Sequence, residues 1–212
     1  MNRKRAWPAA AVLDDWLYVC GGAAPTSSAL FDYLNTCEYL DFDKNRWYFL
    51  SARLKTGRAE ARAVVTAGHL YVLGGLRGST VLKSVERLDL ESSKWSYVSP
   101  MRYRRWLFGA AVIEKDIFVC GGTSSLDRLD ICEKYNPEKD KWSLVGRLLQ
   151  PRTDFAMLNF GGKLIALAGR RGSRNQKDVV KSVEVYDPKK DKWTESESGI
   201  LVPRDDFAAV VV

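Results

Sequence analysis

Histidine is almost absent: the 212 residues contain one, His69. Zinc sites, Ser-His-Asp triads and Cys-His dyads draw on histidine in company with other groups, so those chemistries are set aside. Cysteine is scarce too. The four cysteines, Cys20, Cys37, Cys120 and Cys132, form no CxxC pair, which removes zinc knuckles and thioredoxin-type motifs. Long apolar runs are missing. No stretch approaches the roughly 18 uncharged apolar residues of a membrane span, so no membrane association is expected. The basic start, Met1-Asn2-Arg3-Lys4-Arg5, leads through a short Pro-interrupted run into patterned sequence and is not read as a signal peptide. What remains is a globular composition: 46% hydrophobic, 28% charged and 11% aromatic, with net charge +7. The surplus of positive charge points to an acidic partner without naming its kind.

The chain is a repeat. A Gly-Gly pair after an apolar run occurs at Gly21-Gly22, Gly74-Gly75 and Gly121-Gly122, with Ala168-Gly169 as a degenerate copy. A tryptophan follows each: Trp47, Trp95, Trp142 and Trp193. Nine residues before each tryptophan stands a glutamate, Glu38, Glu86, Glu133 or Glu184. Seven before stands Leu40, Leu88, Tyr135 or Tyr186, and six before stands Asp41, Asp89, Asn136 or Asp187. Sixteen residues before each Gly-Gly position lies an arginine, Arg5, Arg58, Arg105 or Arg152, and Arg204 starts the pattern again. Periods near 50 residues signal solenoids, propellers or arrays.

Each copy reads as four short strands, a to d. Strand a is Ala10–Leu13, Ala63–Ala67, Gly109–Ile113 or Ala156–Phe160. Strand b, after a tight turn, is Leu17–Cys20, Leu70–Leu73, Ile117–Cys120 or Leu164–Leu167. Strand c starts at the glutamate and strand d at the tryptophan. A four-stranded meander repeated in this way is the signature of a propeller blade.

On these motifs the chain resembles a Kelch β-propeller, most closely the Kelch domain of BTB-Kelch proteins. Leu-Tyr-Val-Leu-Gly-Gly75, Ser-Val-Glu-Arg-Leu-Asp89, Lys-Trp95 and Lys-Ser-Val-Glu-Val-Tyr-Asp-Pro188 carry the likeness, which covers essentially the whole chain. The repeated residues are read as structural: glycines for close backbone approach, aromatic columns for packing between blades, and arginine and glutamate columns for hydrogen bonds. The blades are expected at 5–57, 58–104, 105–151 and 152–203, with an extra strand over 204–212. Most BTB-Kelch propellers have six blades. The resemblance therefore implies an open fragment, lacking blades and the ligase-binding BTB and BACK domains.

Function in a propeller lies in its loops. Meander parity puts the b–c and d–a loops on one side, where the charges sum to +8, against −2 on the other. Four of the counted arginines belong to the structural column, which leaves about +4, centred on Arg170, Arg171, Arg174, Lys177 and Lys181. Trp7 and Trp106 lie within one residue of equivalent d–a positions, with Tyr103 and Arg104 close by. Arg77 and Asp154 complete the candidate partner-binding set. Aromatics and arginines at a rim anchor protein recognition.

The family serves as Cullin-3 substrate receptors that hold a short degron on this side, so the resemblance implies a non-enzymatic module for a protein or peptide; the surplus positive charge adds an acidic ligand, to be held by the b–c loops, especially 170–181. Cullin-3 itself would be reached only through the BTB and BACK domains. Some relatives hold acidic degrons with arginines just after the arginine column. Here those positions read Ala6-Trp7, Ala59-Glu60, Trp106-Leu107, Thr153-Asp154 and Asp205-Asp206, without arginine. The alternative is an actin-binding or cytoskeletal propeller. A copper oxidase site would need several histidines, and nucleic acid would need a stacking platform that is not visible. No cofactor or metal is expected. Cys20 with Cys37, and Cys120 with Cys132, fall at matched positions where the other blades carry aliphatic residues. That favours small apolar packing over a redox dithiol, and a cytoplasmic, reducing location.

Overall fold

The computed structural model describes every residue except 27–30, 126, 172–177 and 210–212. No helix occurs among the described residues. Four antiparallel four-stranded sheets carry the chain, each a simple meander in sequence order. In the first, strands Ala9–Leu13, Trp16–Cys20, Cys37–Asp41 and Arg46–Phe49 pair edge to edge. The second joins Arg62–Thr66, His69–Leu73, Val85–Asp89 and Lys94–Val98. The third joins Gly109–Ile113, Asp116–Cys120, Cys132–Asn136 and Lys141–Val145. The fourth joins Ala156–Phe160, Lys163–Leu167, Val183–Asp187 and Lys192–Glu195. The chain divides into two compact units, Met1–Trp106 and Leu107–Val212, with two sheets each.

Within each unit the sheets bury apolar faces against one another. In the first unit, Ala9, Leu13, Tyr18, Cys20 and Cys37 of blade one pack on Ala61, Leu70, Val72, Leu88 and Trp95 of blade two. In the second, Ala111, Ile113, Phe118, Cys120 and Cys132 of blade three pack on Met157, Leu164, Ala166, Tyr186 and Trp193 of blade four. Alternation with period two supplies both faces of every strand, because successive side chains point to opposite sides. Hydrophobic burial is the main favourable term holding such layers together.

The repeated polar columns have definite jobs. Arg58 donates to the Gly74 and Ser84 carbonyls, each at 3.0 Å, and to Glu86 Oε1 at 2.6 Å. Arg152 repeats this with Ala168, Ser182 and Glu184, and Arg5 with Gly21, Thr36 and Glu38. Each of these three ion pairs has both side chains fully buried. The glutamates also accept backbone amides of the connection leading into the repeat: Asn2 and Arg3 on Glu38, Lys55 and Thr56 on Glu86, Leu149 on Glu184. Burial pulls the Arg58 and Arg152 guanidinium pKa down, and the facing glutamate opposes that. A buried charge survives only when paired and hydrogen-bonded in this manner.

The Asp/Asn column starts each c–d turn. Asp41, Asp89 and Asn136 accept the amide three residues on, from Lys44, Ser92 and Lys139, and Asp187 accepts that of Lys189. Such side-chain caps are why Asp and Asn favour turns. The Gly-Gly column marks where the next connection crosses. Gly75, at φ +93°, donates to the Arg105 carbonyl, and a Cβ there would lie 2.4 Å from the Ala59 carbonyl oxygen. No side chain fits such a gap.

Two sequence expectations change. The strand expected over 204–212 is not formed over 204–209, and 210–212 lie outside the described residues. Its entry is nevertheless in place: Arg204 accepts the Gly169 amide at 2.8 Å, as Arg58, Arg105 and Arg152 accept those of Gly22, Gly75 and Gly122. The other a strands are each paired with their own b strand. The cysteines are the second change. Cys20 lies opposite Cys37 and Cys120 opposite Cys132 in register, with Cα atoms 4.1 and 4.2 Å apart, and each pair is disulfide-bonded rather than packed as separate thiols. Direct opposition on neighbouring strands is what brings the sulfurs together.

Candidate functional site

The loop side is built from the connections between strands b and c, several of which fold into small hairpins. In the first unit, Ala23–Pro25 pairs with Phe31–Tyr33, and Leu76–Arg77 pairs with Thr80–Val81. In the second, Arg170–Arg171 lies between Arg152–Thr153 and Asp178–Val179. These hairpins rise next to the connection that follows each arginine column. The second residue after that column adopts left-handed backbone in every copy: Trp7, Glu60, Leu107, Asp154 and Asp206, with φ between 50 and 55°. Such angles are uncommon for residues with side chains, and genuine outliers for bulky ones. Here they serve a hydrogen-bond relay. The Glu60 amide donates to the Trp7 carbonyl at 3.0 Å, that of Asp154 to Leu107 at 3.1 Å, and that of Asp206 to Asp154 at 3.2 Å. A feature copied in all repeats is architectural.

What is not copied is the side chain that each position presents. Trp7 is 47% exposed and meets Phe31, itself 48% exposed, edge to face at 5.7 Å. Phe31 was not singled out in the sequence, because it lies beyond every repeated column in a loop of small and polar residues. Arg77 is exposed at the tip of its hairpin. It joins Trp7 through the backbone: Leu76 exchanges two hydrogen bonds with Ala59, and Glu60, the next residue, is bonded to Trp7. Trp7, Phe31 and Arg77 therefore belong to one continuous stretch of the first unit's loop side.

The remaining candidates are more occupied. Arg104 donates to the Val81 carbonyl at 2.9 Å and holds its hairpin in place. Tyr103 is half-buried, with the Arg105 guanidinium 5.8 Å from its ring centre. Trp106 is half-buried and sits one residue before the left-handed position that Trp7 occupies. In the second unit, Arg170 is bonded to Asp205 and lies 4.0 Å from Asp154, while Arg171 lies 3.5 Å from Glu195. Thr153 donates to Asp154, and burial raises the Asp154 carboxyl above its ordinary range. Arg174 and Lys177 lie outside the described residues. The structure thus brings Asp154 and Arg170 together, but as partners of each other and not as an open basic surface. Of the charges in the sequence sum, Arg170 and Arg171 meet carboxylates of the chain itself, Asp205 and Glu195, which reach them from distant positions.

A family model described as the KLHDC2/KLHL20/DRC7 Kelch-repeats domain matches residues 9–212. The chain belongs to the Kelch-repeat family. Kelch-like protein 26 of Danio rerio is 27% identical over 184 residues, covering 86% of this chain and 30% of that protein. Kelch-like protein 23 of Homo sapiens is 25% identical over 91% of this chain and 33% of its own length. Kelch repeat and BTB domain-containing protein 1 of Camelpox virus is 27% identical over 96% of this chain and 35% of its own. The Kelch chain spans about a third of the length of these relatives. Among solved structures, that of YjhT superposes with a TM-score of 0.82 at 16% identity, over 96% of this chain and 73% of the other. That likeness shows the propeller fold alone. Kelch domains of this family are protein-interaction modules, and this chain is one.

Proposed function

We propose that this Kelch domain is the substrate-recognition part of a Cullin-3 ubiquitin ligase adaptor. It holds a protein segment on the b–c/d–a loop side of blades one and two and performs no chemistry of its own. The carrying observation is the exposed Trp7–Phe31 pair, on the loop side that also carries the exposed Arg77. Exposed aromatic and arginine side chains on a rigid rim are the usual anchors of protein recognition. The ligand this chemistry fits carries an apolar anchor for the rings and one flanking carboxylate for Arg77. A strongly acidic segment fits less well, because Arg170 and Arg171 are engaged by the chain's own carboxylates. The names of relatives that combine Kelch repeats with a BTB domain support the adaptor assignment.

The test is affinity capture with the intact protein from cells, scored for Cullin-3 and for actin. Recovery of Cullin-3, with a substrate set lost in a Trp7→Ala/Phe31→Ala variant, is the expected outcome. Recovery of actin without Cullin-3 would overturn the proposal.

A further inference from the structure

The face of blade one that packs on blade two carries a second departure from the repeat, at the end of the strands where the a–b and c–d turns lie. Trp16 opens strand b, Tyr39 sits on strand c and Tyr48 on strand d. Tyr39 stands directly opposite Tyr48, and Trp16, opposite Asp41, is diagonal to Tyr39. Side chains in both relations share one face of a sheet, and aromatic rings span the diagonal. Trp16 stacks on Tyr39 with ring centres 4.7 Å apart and planes at 21°, and Tyr39 on Tyr48 at 5.4 Å and 22°. The matching positions read His69, Arg87 and Ser96 in blade two, Asp116, Lys134 and Ser143 in blade three, and Lys163, Val185 and Thr194 in blade four. In blade three the Lys134 ammonium pairs with Asp116 at 3.0 Å. Three blades fold without a row of rings, so the blade architecture does not call for it.

The row is open with its neighbouring blade in place. Blade two already covers Tyr18, Cys20 and Cys37 on the same face, yet Trp16 is 40% exposed, and Tyr39 and Tyr48 are half-buried. Beside Trp16 and Tyr18, a recess of about 200 Å³ is bounded by Asp14, Asp15 and, from blade two, Leu90. The molecule shows what such rings take up: the Arg46 guanidinium lies 5.6 Å from the centre of the Tyr48 ring. Cations are drawn to ring faces, to tryptophan most of all, and planar guanidinium groups stack on them. At the other end of the row the charge is reversed. Asp14 and Asp15 are exposed and in no ion pair among the described residues, whereas Asp41 is held by Lys44. Burial pushes the Tyr18 hydroxyl up to about 12, and the Asp14 carboxylate adds to that shift. A bare indole face, a recess and two carboxylates at one spot complement a flat cation.

We propose that the Trp16–Tyr39–Tyr48 row is a docking surface for an arginine-bearing segment of a protein partner, the guanidinium lying over Trp16 and pairing with Asp14 or Asp15. Arginine suits it better than lysine, because its planar group stacks and donates a fork of hydrogen bonds at once. The surface lies at the far end of the blade-one strands from Trp7 and Phe31. It serves a different segment and stands or falls separately from the loop-side reading.

Fluorescence anisotropy with labelled peptides that alternate glycine with arginine, lysine or glutamate tests it. The net charge of +7 draws the glutamate peptide, so a preference for arginine reports a local site. The arginine peptide should bind about fivefold more tightly than the lysine peptide. Trp16→Ala and Asp14→Asn/Asp15→Asn should each raise its dissociation constant about fivefold, while Trp7→Ala/Phe31→Ala leaves it unchanged. Asparagine tolerates the left-handed backbone of position 14, at φ 53°, so the paired variant keeps the turn and carries the test should Trp16→Ala unfold. Tightest binding of the glutamate peptide would overturn the proposal. So would lysine binding as tightly as arginine, or an arginine peptide indifferent to the Trp16 and Asp14/Asp15 changes.

Discussion

The loop sides of the first and second units are built by one repeat and end in opposite states. In the first unit Trp7 and Phe31 turn their rings toward solvent. In the second, Arg170 and Arg171 are taken up by Asp154, Asp205 and Glu195. The backbone beneath is the same in both, down to the left-handed residue at Trp7 and Asp154. The comparison teaches that recognition resides in departures from the repeat, and that a charge counted in sequence is available to a partner only if the fold leaves it unpaired.

The largest effects should come from what the two units share. Removing one member of a buried ion pair strands the other, a loss of about 3–5 kcal/mol. Glu86→Ala in the first unit and Glu184→Ala in the second should each lower the urea midpoint by an amount of that order. A large loss in one and none in the other would break the equivalence of the columns. Next come the disulfides, one per unit, closing spans of 17 and 12 residues. Chain-entropy arguments give about 3 kcal/mol for loops of this size. Reduction should lower the thermal midpoint, and Cys20→Ala/Cys37→Ala should reproduce its own unit's share.

The third effect is on binding and should separate the units. Trp7→Ala/Phe31→Ala should weaken partner binding by about 2 kcal/mol, with stability changed by less than about 0.5 kcal/mol. The smallest effect concerns Asp154. Its carboxyl is raised above its unfolded value by burial, so folding favours the protonated form. The stability linked to this group is fully present below the ordinary carboxylate range and falls as pH rises through the raised value. Asp154→Asn should therefore be neutral to slightly stabilising at neutral pH, within about 1 kcal/mol, and the difference should vanish on acidification. Unfolding curves across that pH range would show a growing difference on acidification if the sign were wrong.

Much of this was legible in the chain because the repeat prints its own alignment. Strands Gly109–Ile113 and Ala156–Phe160 form where alternation put them, and the arginine and glutamate columns meet as the spacing implied. The rest depends on contacts between residues far apart in sequence and outside the columns. Phe31 reaches Trp7 across 24 positions, and Asp205 reaches Arg170 across 35. No period announces either. Residues 204–209 form no strand although their pattern matches the other copies, because a local pattern becomes a strand only through a hydrogen-bonding neighbour. The disulfides needed the register, which places Cys20 against Cys37 and Cys120 against Cys132, and which spacing alone leaves open.

The most direct measurement is quantitative affinity capture with three forms of the intact protein: wild type, Trp7→Ala/Phe31→Ala and Arg170→Ala. The account predicts that the aromatic variant loses the captured substrates at an unchanged unfolding midpoint, while Arg170→Ala retains them. Retention by the aromatic variant, with loss on Arg170→Ala, would place recognition on the second unit and contradict it.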